Sequence, residues 1–542
     1  MNNAPVFLVA FQEQDNLGAG YIASLLKQQG FRIKLLDFSL GNETILQYIQ
    51  EEEPLLIGFS IIFQYHIGDF LDLLQQLRHH RVQSHFCAGG HFPSLRWKEL
   101  MEYIPQLDSV ALFEGERTFL ELARALYHNQ PWQTIKGLAY RGRTGPVAND
   151  YRPLEDDLDQ LPPPLRPPLK TYAFGKKYAT LIAGRGCYYN CVFCSIREFY
   201  AKPGGKVKRL RRPGMVVREM ELLHEQCGAE IFMFQDDDFP AGKLHPDWSE
   251  MFCQELRKSE LSGKILYKIN CRPDEVELET FRQMKDTGLF LVYLGIESGT
   301  DEGLKMMNKH VSVETNLRAA ALLNRLDIGF DFGFMLLDPY STIQSVQDNL
   351  DFLDRLCGDG CSSVTFCKML PYAETEIERR LIGEKRIKGD MGKRDYDFLD
   401  IRLDLFHLLI QDVFYDWFFT RDGLLNLSRW ARHFILAYEH FYGSNEEMRA
   451  LKSDLKILVA SSNKDFTDTA RYLLNTSGQV SNIDLEGIVQ DTTSQIRARH
   501  LDYCRASIEI LQNIERLAQQ PAIPGVTPGS CGYRVSRHGG EM

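Results

Sequence analysis

Arg185-Gly186-Cys187-Tyr188-Tyr189-Asn190-Cys191-Val192-Phe193-Cys194-Ser195 is the stretch from which the rest of the chain can be read. Its cysteines are spaced C-x3-C-x2-C, in a short loop after an apolar, strand-like run from Tyr178 to Ala183. Three thiolates this close in sequence converge on one inorganic core. A four-iron cluster held by three thiolates keeps one iron open, where a substrate or cofactor chelates. A structural zinc site wants a fourth Cys or His nearby, and the next cysteine, Cys227, lies far downstream.

Length and composition narrow the classes. A chain of 542 residues is too long for one ordinary domain and suggests two or three. Its 44% hydrophobic and 25% charged residues are those of a globular protein. A net charge of −11 argues against a nucleic-acid partner, which needs a basic face. The local exception, Lys202 to Arg212 (KPGGKVKRLRR), reads either as a solvated loop or as a site for an anionic group. No signal peptide and no apolar run of about 20 residues is visible, so a cytoplasmic location without a membrane span is expected. The 12 cysteines are then reduced thiols or metal ligands. Cys87, Cys227, Cys253, Cys271, Cys357, Cys361 and Cys367 stand in apolar contexts and read as small core residues.

Patterning divides the chain into a first α/β domain (1–150), a proline-rich linker (151–170), a second α/β domain (171–385) and a helical C-terminal part (386–542). In the first, strands at Val6 to Ala10, Arg32 to Asp37, Leu55 to Ser60, His85 to Gly90 and Ser109 to Phe113 alternate with helices. That alternation predicts a doubly wound, Rossmann-like sheet with ligands at the strand C-termini. The linker centres on Leu161-Pro162-Pro163-Pro164-Leu165-Arg166-Pro167-Pro168, short and stiff enough to hold its neighbours in fixed relation. The second domain continues the alternation through six strands, the last at Ser363 to Leu370, and predicts a partial (β/α)6 barrel. The C-terminal part is aromatic-rich and reads as a cap, with Tyr372, His407, Tyr415 and Trp417 as candidate substrate contacts. Its tail from Pro521, including Cys531, reads as flexible, Cys531 being a stray thiol.

The cysteine loop, with Phe193 before its last cysteine, resembles that of radical S-adenosylmethionine (SAM) enzymes. Later motifs fall in matching order: Arg272-Pro273-Asp274, then Glu297-Ser298-Gly299 with Met307-Asn308-Lys309, then Leu370 to Thr375, where Ala373-Glu374 replaces the usual Pro-Gly. Asp236-Asp237-Asp238 stands where many members have a Gly-Gly-Glu turn holding the SAM amine. The first domain, with Asn16-Leu17-Gly18, Ser60, Gly89-Gly90-His91 and Glu114-Gly115-Glu116, resembles the cobalamin-binding domain of one radical-SAM subclass, the class B methyltransferases. The usual DxHxxG loop is absent: Gln12 to Gly18 contains no histidine to reach cobalt.

The resemblance implies a [4Fe-4S] cluster on Cys187, Cys191 and Cys194. It implies SAM held by Tyr189, Phe193, Asp236, Arg272, Glu297 and Ser298, and cobalamin held by the glycine-rich edges of the first domain. It further implies an electron donor such as a flavodoxin or ferredoxin. The expected reaction is methyl transfer from SAM, through methylcobalamin, to an unactivated carbon. Ring rearrangement or oxidative cyclisation with the same cofactors is the alternative, and a cluster-bearing sensor is the reading from another class. No residue is assigned to acid–base or substrate chemistry, and a small molecule, a lipid or a peptide all remain open as substrate.

Overall fold

Strands that are apolar throughout bury both faces of a sheet, which requires parallel pairing with helices returning on either side. The computed structural model, which describes residues 4–13, 15–242, 245–478 and 485–519, shows this twice. In the first sheet β1 (Val6–Ala10), β2 (Ile33–Asp37), β3 (Leu56–Ser60), β4 (His85–Gly89) and β5 (Ser109–Ala111) are parallel, in the order β2-β1-β3-β4-β5. Alternate residues of β1 feed separate layers. Phe7 and Val9 pack with the helices Asn42–Glu52 and Ile67–His79, whereas Val6 and Leu8 pack with Leu17–Gln28 and Glu116–Tyr127. An antiparallel hairpin, β6 (Leu138–Gly142) and β7 (Gly145–Ala148), extends the edge beyond β5. Strand–helix alternation does not predict it, because its strands are short and half-exposed. At the mouth of this sheet Gly90 has φ 114°, and a Cβ there would stand 2.5 Å from the Ile61 carbonyl oxygen, so only glycine serves.

The second sheet is a curled half-barrel. Its strands are β8 (Thr171–Ala173), β9 (Lys176–Leu181), β12 (Ala229–Phe234), β13 (Leu266–Cys271), β14 (Leu289–Glu297), β15 (Gly329–Leu337) and β16 (Cys367–Lys368), with a small ribbon, β10 (Gly184–Arg185) and β11 (Arg209–Leu210), inserted after β9. From β9 to β16 the pairing is parallel. Helices such as Pro213–Cys227, Pro246–Lys258 and Leu278–Asp286 cover the outer face. The C-terminal helices Ile401–Val413, Leu424–Tyr442, Glu446–Ser477 and Leu485–Gln519 share one continuous core with this sheet. The tail from Pro521, with Cys531, lies outside the described residues. Among those described, no helix is long and apolar enough to cross a membrane.

The linker is pinned rather than free: Leu165 N donates to the Gly20 carbonyl at 3.0 Å and Ser24 Oγ to that of Pro163 at 2.6 Å. The basic run is solvated in part, at Lys206 and Arg212, while its buried arginines already hold carboxylates. Lys208, Arg209 and Arg211 are buried. Arg209 grips Glu114 of the first domain at 2.7 Å, while Arg211 grips Glu219 at 2.6 Å and Asp159 at 3.2 Å. Its carboxylate partners lie in the first domain, the linker and a later helix, so no local charge count reveals them. The cysteines divide as well. Cys87, Cys253, Cys271 and Cys357 are buried and Cys361 half-buried, whereas Cys227, which ends its helix at the solvent edge, and Cys367 are exposed rather than core.

Glu219 also meets Arg166 at 2.9 Å, so one buried carboxylate balances two buried guanidinium groups. Glu219→Ala strands Arg166 and leaves Arg211 with Asp159 alone, and is expected to cost about 3–5 kcal/mol; urea denaturation of the full chain measures it, and a loss under ~1 kcal/mol would contradict the role. Burial alone would raise the Glu114 carboxyl, but Arg185 and Arg209 bring it down to about 2. Its stabilisation is therefore complete above the usual value of 4.5 and is lost as pH falls towards 2.

Candidate active site

The strand C-termini of the first sheet and the cysteine loop of the second domain enclose one cavity of about 970 Å³, near the top of the range for small-molecule pockets. Asn16, Leu17, Gly18, Ser60, Gly89, Gly90, His91, Glu114, Gly115 and Glu116 all line it. The second domain contributes Phe193, Cys194, Gln235, Asp237 and Tyr372. Asn16 caps its helix, accepting from Ala19 N at 2.9 Å, and donates to Ser60 Oγ at 3.1 Å, which locks two of the loops together. His91 lies against Phe199 with ring centroids 4.1 Å apart, and its Nε2 has no hydrogen-bond partner among the described residues. Burial pushes its imidazole down and Asp237 opposes this, so it faces the cavity as a neutral ring. Glu114 and Glu116 turn their carboxylates to Arg185, at 2.9 and 2.7 Å, and not into the open space. The loop from Gln12 to Gly18 is tied to the end of the linker and to the second domain: Lys170 Nζ donates to the Gln12 carbonyl at 3.1 Å and Thr180 Oγ1 to Asp15 at 2.8 Å.

The cysteine loop has almost no regular structure of its own and is clamped from outside. Val192 N donates to the Met307 carbonyl and Ile377 N to the Val192 carbonyl, both at 3.1 Å. Asn308 Nδ2 donates to the Asn190 carbonyl at 2.7 Å. Met307-Asn308 thus holds the loop, a role that the motif order alone does not disclose. Burial pushes the Cys187 and Cys194 thiols up to about 12 and raises Cys191 also, with Lys309 and Arg272 opposing at Cys191. Iron would draw off these protons. Among the described residues no three His, Cys, Asp or Glu side chains are close enough for a single ion. The Cys194 thiol acts on Cys187 and the Cys191 thiol on Cys194, so the three are neighbours, and a cubane, whose three protein-bound irons sit at separate corners, suits such a group.

Beside the loop, Arg272 stacks on the Tyr189 ring at 3.6 Å, pairs with Asp274 at 2.9 Å and donates to the Lys309 carbonyl. Its Nη1 has no partner among the described residues and remains for a carboxylate. Tyr189 OH donates to Glu275 at 3.0 Å, and burial raises that carboxyl to about 8. Glu297, held in the left-handed region at φ 68°, meets Lys309 at 3.3 Å. Two of the expected SAM contacts are engaged elsewhere. Both Asp236 oxygens accept backbone amides, Ala183 N at 2.9 Å and Gly184 N at 2.7 Å. The Ser298 hydroxyl is buried in its own turn, accepting from Thr300 N at 3.3 Å. Asp238, the third acid of the same turn, is placed differently from Asp236. It is buried, its Oδ1 has no partner among the described residues, and its charge is felt at Cys187. Burial raises its carboxyl to about 6. Of the cap candidates, Tyr372 lines the cavity, Trp417 is buried in the core, Tyr415 is exposed, and burial lowers His407 to about 4.

Two cofactor-type domains therefore share one cavity, and known proteins show the same pairing. The B12 binding domain family matches residues 4–123 and the radical SAM superfamily residues 181–353. The chain is a cobalamin-dependent radical SAM enzyme, with cobalamin, SAM and a [4Fe-4S] cluster as its cofactors. An uncharacterised methyltransferase of Pyrococcus horikoshii is 25% identical over 406 residues, 73% of this chain and 84% of that protein. The anaerobic magnesium-protoporphyrin IX monomethyl ester cyclase of Rubrivivax gelatinosus is 28% identical over 347 residues, 60% of each chain. The cobalamin-dependent SAM radical enzyme OxsB, solved with aqua-cobalamin, superposes with a TM-score of 0.65 at 18% identity, over 92% of this chain and 84% of its own.

Cys191→Ala is expected to abolish the brown absorbance of the reconstituted cluster together with reductive SAM cleavage, because two thiolates hold a cubane poorly. A variant that still cleaves SAM contradicts the ligand set. Asp238→Asn is expected to weaken SAM binding about tenfold, as losing a charged hydrogen bond does, while Asp236→Asn lowers the melting temperature instead. Calorimetric SAM titration of both variants decides, and the reverse pattern would restore Asp236 as the SAM contact.

Proposed function

We propose that this enzyme is a methyltransferase that moves a methyl group from SAM, by way of cobalamin, to an unactivated carbon of its substrate. The observation that carries the reading is the shared cavity. Glycine-rich edges of the first domain and Phe193 with Cys194 of the cluster loop face the same space, so both cofactors address one substrate position. When bound, the cluster with SAM supplies one-electron bond cleavage and cobalamin supplies an exchangeable methyl group. The residues of the chain hold and shield these groups. Cys187, Cys191 and Cys194 are the cluster ligands, and Arg272 Nη1 and Asp238 Oδ1 are the free donor and acceptor for the two ends of an amino acid moiety. Asn16, Ser60, Gly89 and Gly115 give a corrin a close, uncharged wall. Lys170 and Thr180 hold the loop from Gln12 to Gly18, which carries no imidazole that it could offer to a cobalt. An external flavodoxin- or ferredoxin-type donor delivers the electron. The relative named as a methyltransferase supports this reading, and the relative named as a cyclase defines the competing one.

The two separate without knowledge of the substrate. Reduced holoenzyme given SAM labelled in its methyl group is expected to return labelled methylcobalamin after quenching; a rearrangement or cyclisation enzyme leaves the corrin unlabelled. Protein prepared without cobalamin is expected to cleave SAM but to transfer no label. The Co(II) form is expected to show no nitrogen splitting in its paramagnetic resonance, and splitting would place an imidazole or the tail of the cofactor on the metal.

A further inference from the structure

The concave face of the second sheet carries a charge imbalance. Strand register puts Lys268 beside Leu291, and Asn270, Tyr293 and Asp331 in one row. Tyr267, of opposite parity, sends its hydroxyl to the Met284 carbonyl in the outer helical layer, so Lys268, Tyr293 and Asp331 face inward. Helix Leu424–Tyr442 closes that side, bringing Arg429 to Asp331 at 3.2 Å, His433 at 3.1 Å, and Arg432. One carboxylate thus meets two guanidinium groups, and Lys268 adds a third cation, its ammonium 5.7 Å from the Tyr293 ring centroid. Glu297, the nearby carboxylate, is held by Lys309 at 3.3 Å.

The donors differ in how far they are engaged. Arg432 donates to the Cys361 carbonyl at 2.8 Å as well as to Asp331. Among the described residues Arg429 Nε has no hydrogen-bond partner although it stands 3.2 Å from Asp331, and no hydrogen bond from the Lys268 ammonium or the Tyr293 hydroxyl is seen. Burial pushes the Lys268 ammonium down; Asp331 opposes this and Arg429 adds to it. There is room for a ligand. Tyr293 lies on a strand paired on both sides yet is 39% exposed, and its hydroxyl reaches along the sheet to where a Cβ on Gly333, the partner of Gly295, would stand 2.9 Å away.

We propose that Lys268, Arg429 and the Tyr293 hydroxyl bind an oxyanion, the carboxylate or phosphate-type group of a small acid that is the substrate of the methyl transfer proposed above. Converging cations with free N–H groups are the chemistry that recognises such a group. An anion seated here anchors the substrate within the half-barrel and directs its other end towards the cavity rim at Cys194 and Tyr372. This makes the three residues specificity determinants, and it excludes an uncharged lipid.

The test uses the cluster-reconstituted full chain and calorimetric titration with inorganic phosphate in one arm and acetate in the other, which distinguishes the two sources of charge. Wild type is expected to bind at least one ion. Lys268→Gln is expected to weaken that ion about tenfold or more, Lys268→Arg to restore it, and Lys264→Gln, on the solvent side, to leave it unchanged. Binding of neither ion to wild type, or equal binding by Lys268→Gln, overturns the proposal. The titration needs neither cobalamin nor methyl transfer, so its failure is distinguishable from failure of the labelled-corrin experiment.

Discussion

The carboxylate of Glu114 is shared by Arg185 and Arg209, and the geometry of both cofactor regions depends on it. A buried carboxylate without partners would cost several kcal/mol, so this contact forms with both guanidinium groups in place or not at all. Arg185 stands two residues before Cys187, and Glu114 lies in the turn that follows the last parallel strand of the first sheet. One ion-pair cluster therefore fixes how far the first of the thiols lies from the glycine edges that face it. Arg185 also lies over the Tyr21 ring at 4.9 Å, tying the first helix into the same joint.

The cysteine loop is held from the other side by the second domain. Met307, Asn308 and Ile377 grip its backbone, and Lys309 offers its carbonyl to Arg272 and its ammonium to Glu297. A loop whose own hydrogen bonds are so few takes its shape from these partners. Its rigidity is thus a property of the assembled half-barrel, and damage at Asn308 would act on the cluster without touching a ligand.

What could be read from the sequence was whatever is local. The C-x3-C-x2-C loop, the apolar strands and the glycines at their ends are contiguous patterns, and the ten residues expected to face cobalamin do line one cavity. What escaped depends on distant partners. Among Asp236, Asp237 and Asp238 nothing in the sequence says which acid is free. The choice is made by the amides of Ala183, Gly184 and Gly186, which engage the first two and leave Asp238 Oδ1 unpartnered. Ser298 looks available in its turn until Thr300 and Asn349 are folded against it. The run from Lys202 to Arg212 looks like a surface because the carboxylates that neutralise it lie elsewhere in the chain.

The same logic separates the two walls of the reaction space. The first domain presents glycine, serine and a neutral His91, while its charges are turned away into ion pairs with Arg185 and Arg209. The half-barrel keeps its ionisable groups on the inside, where Asp331 is outnumbered by Arg429, Arg432 and Lys268. In a low-dielectric interior such an excess is costly unless a ligand balances it. A binding anion would offset that cost directly. The sequence hides this as well: Tyr293 sits inside the apolar strand Leu289–Glu297, and its cationic neighbours come from β13 and from a helix more than a hundred residues downstream.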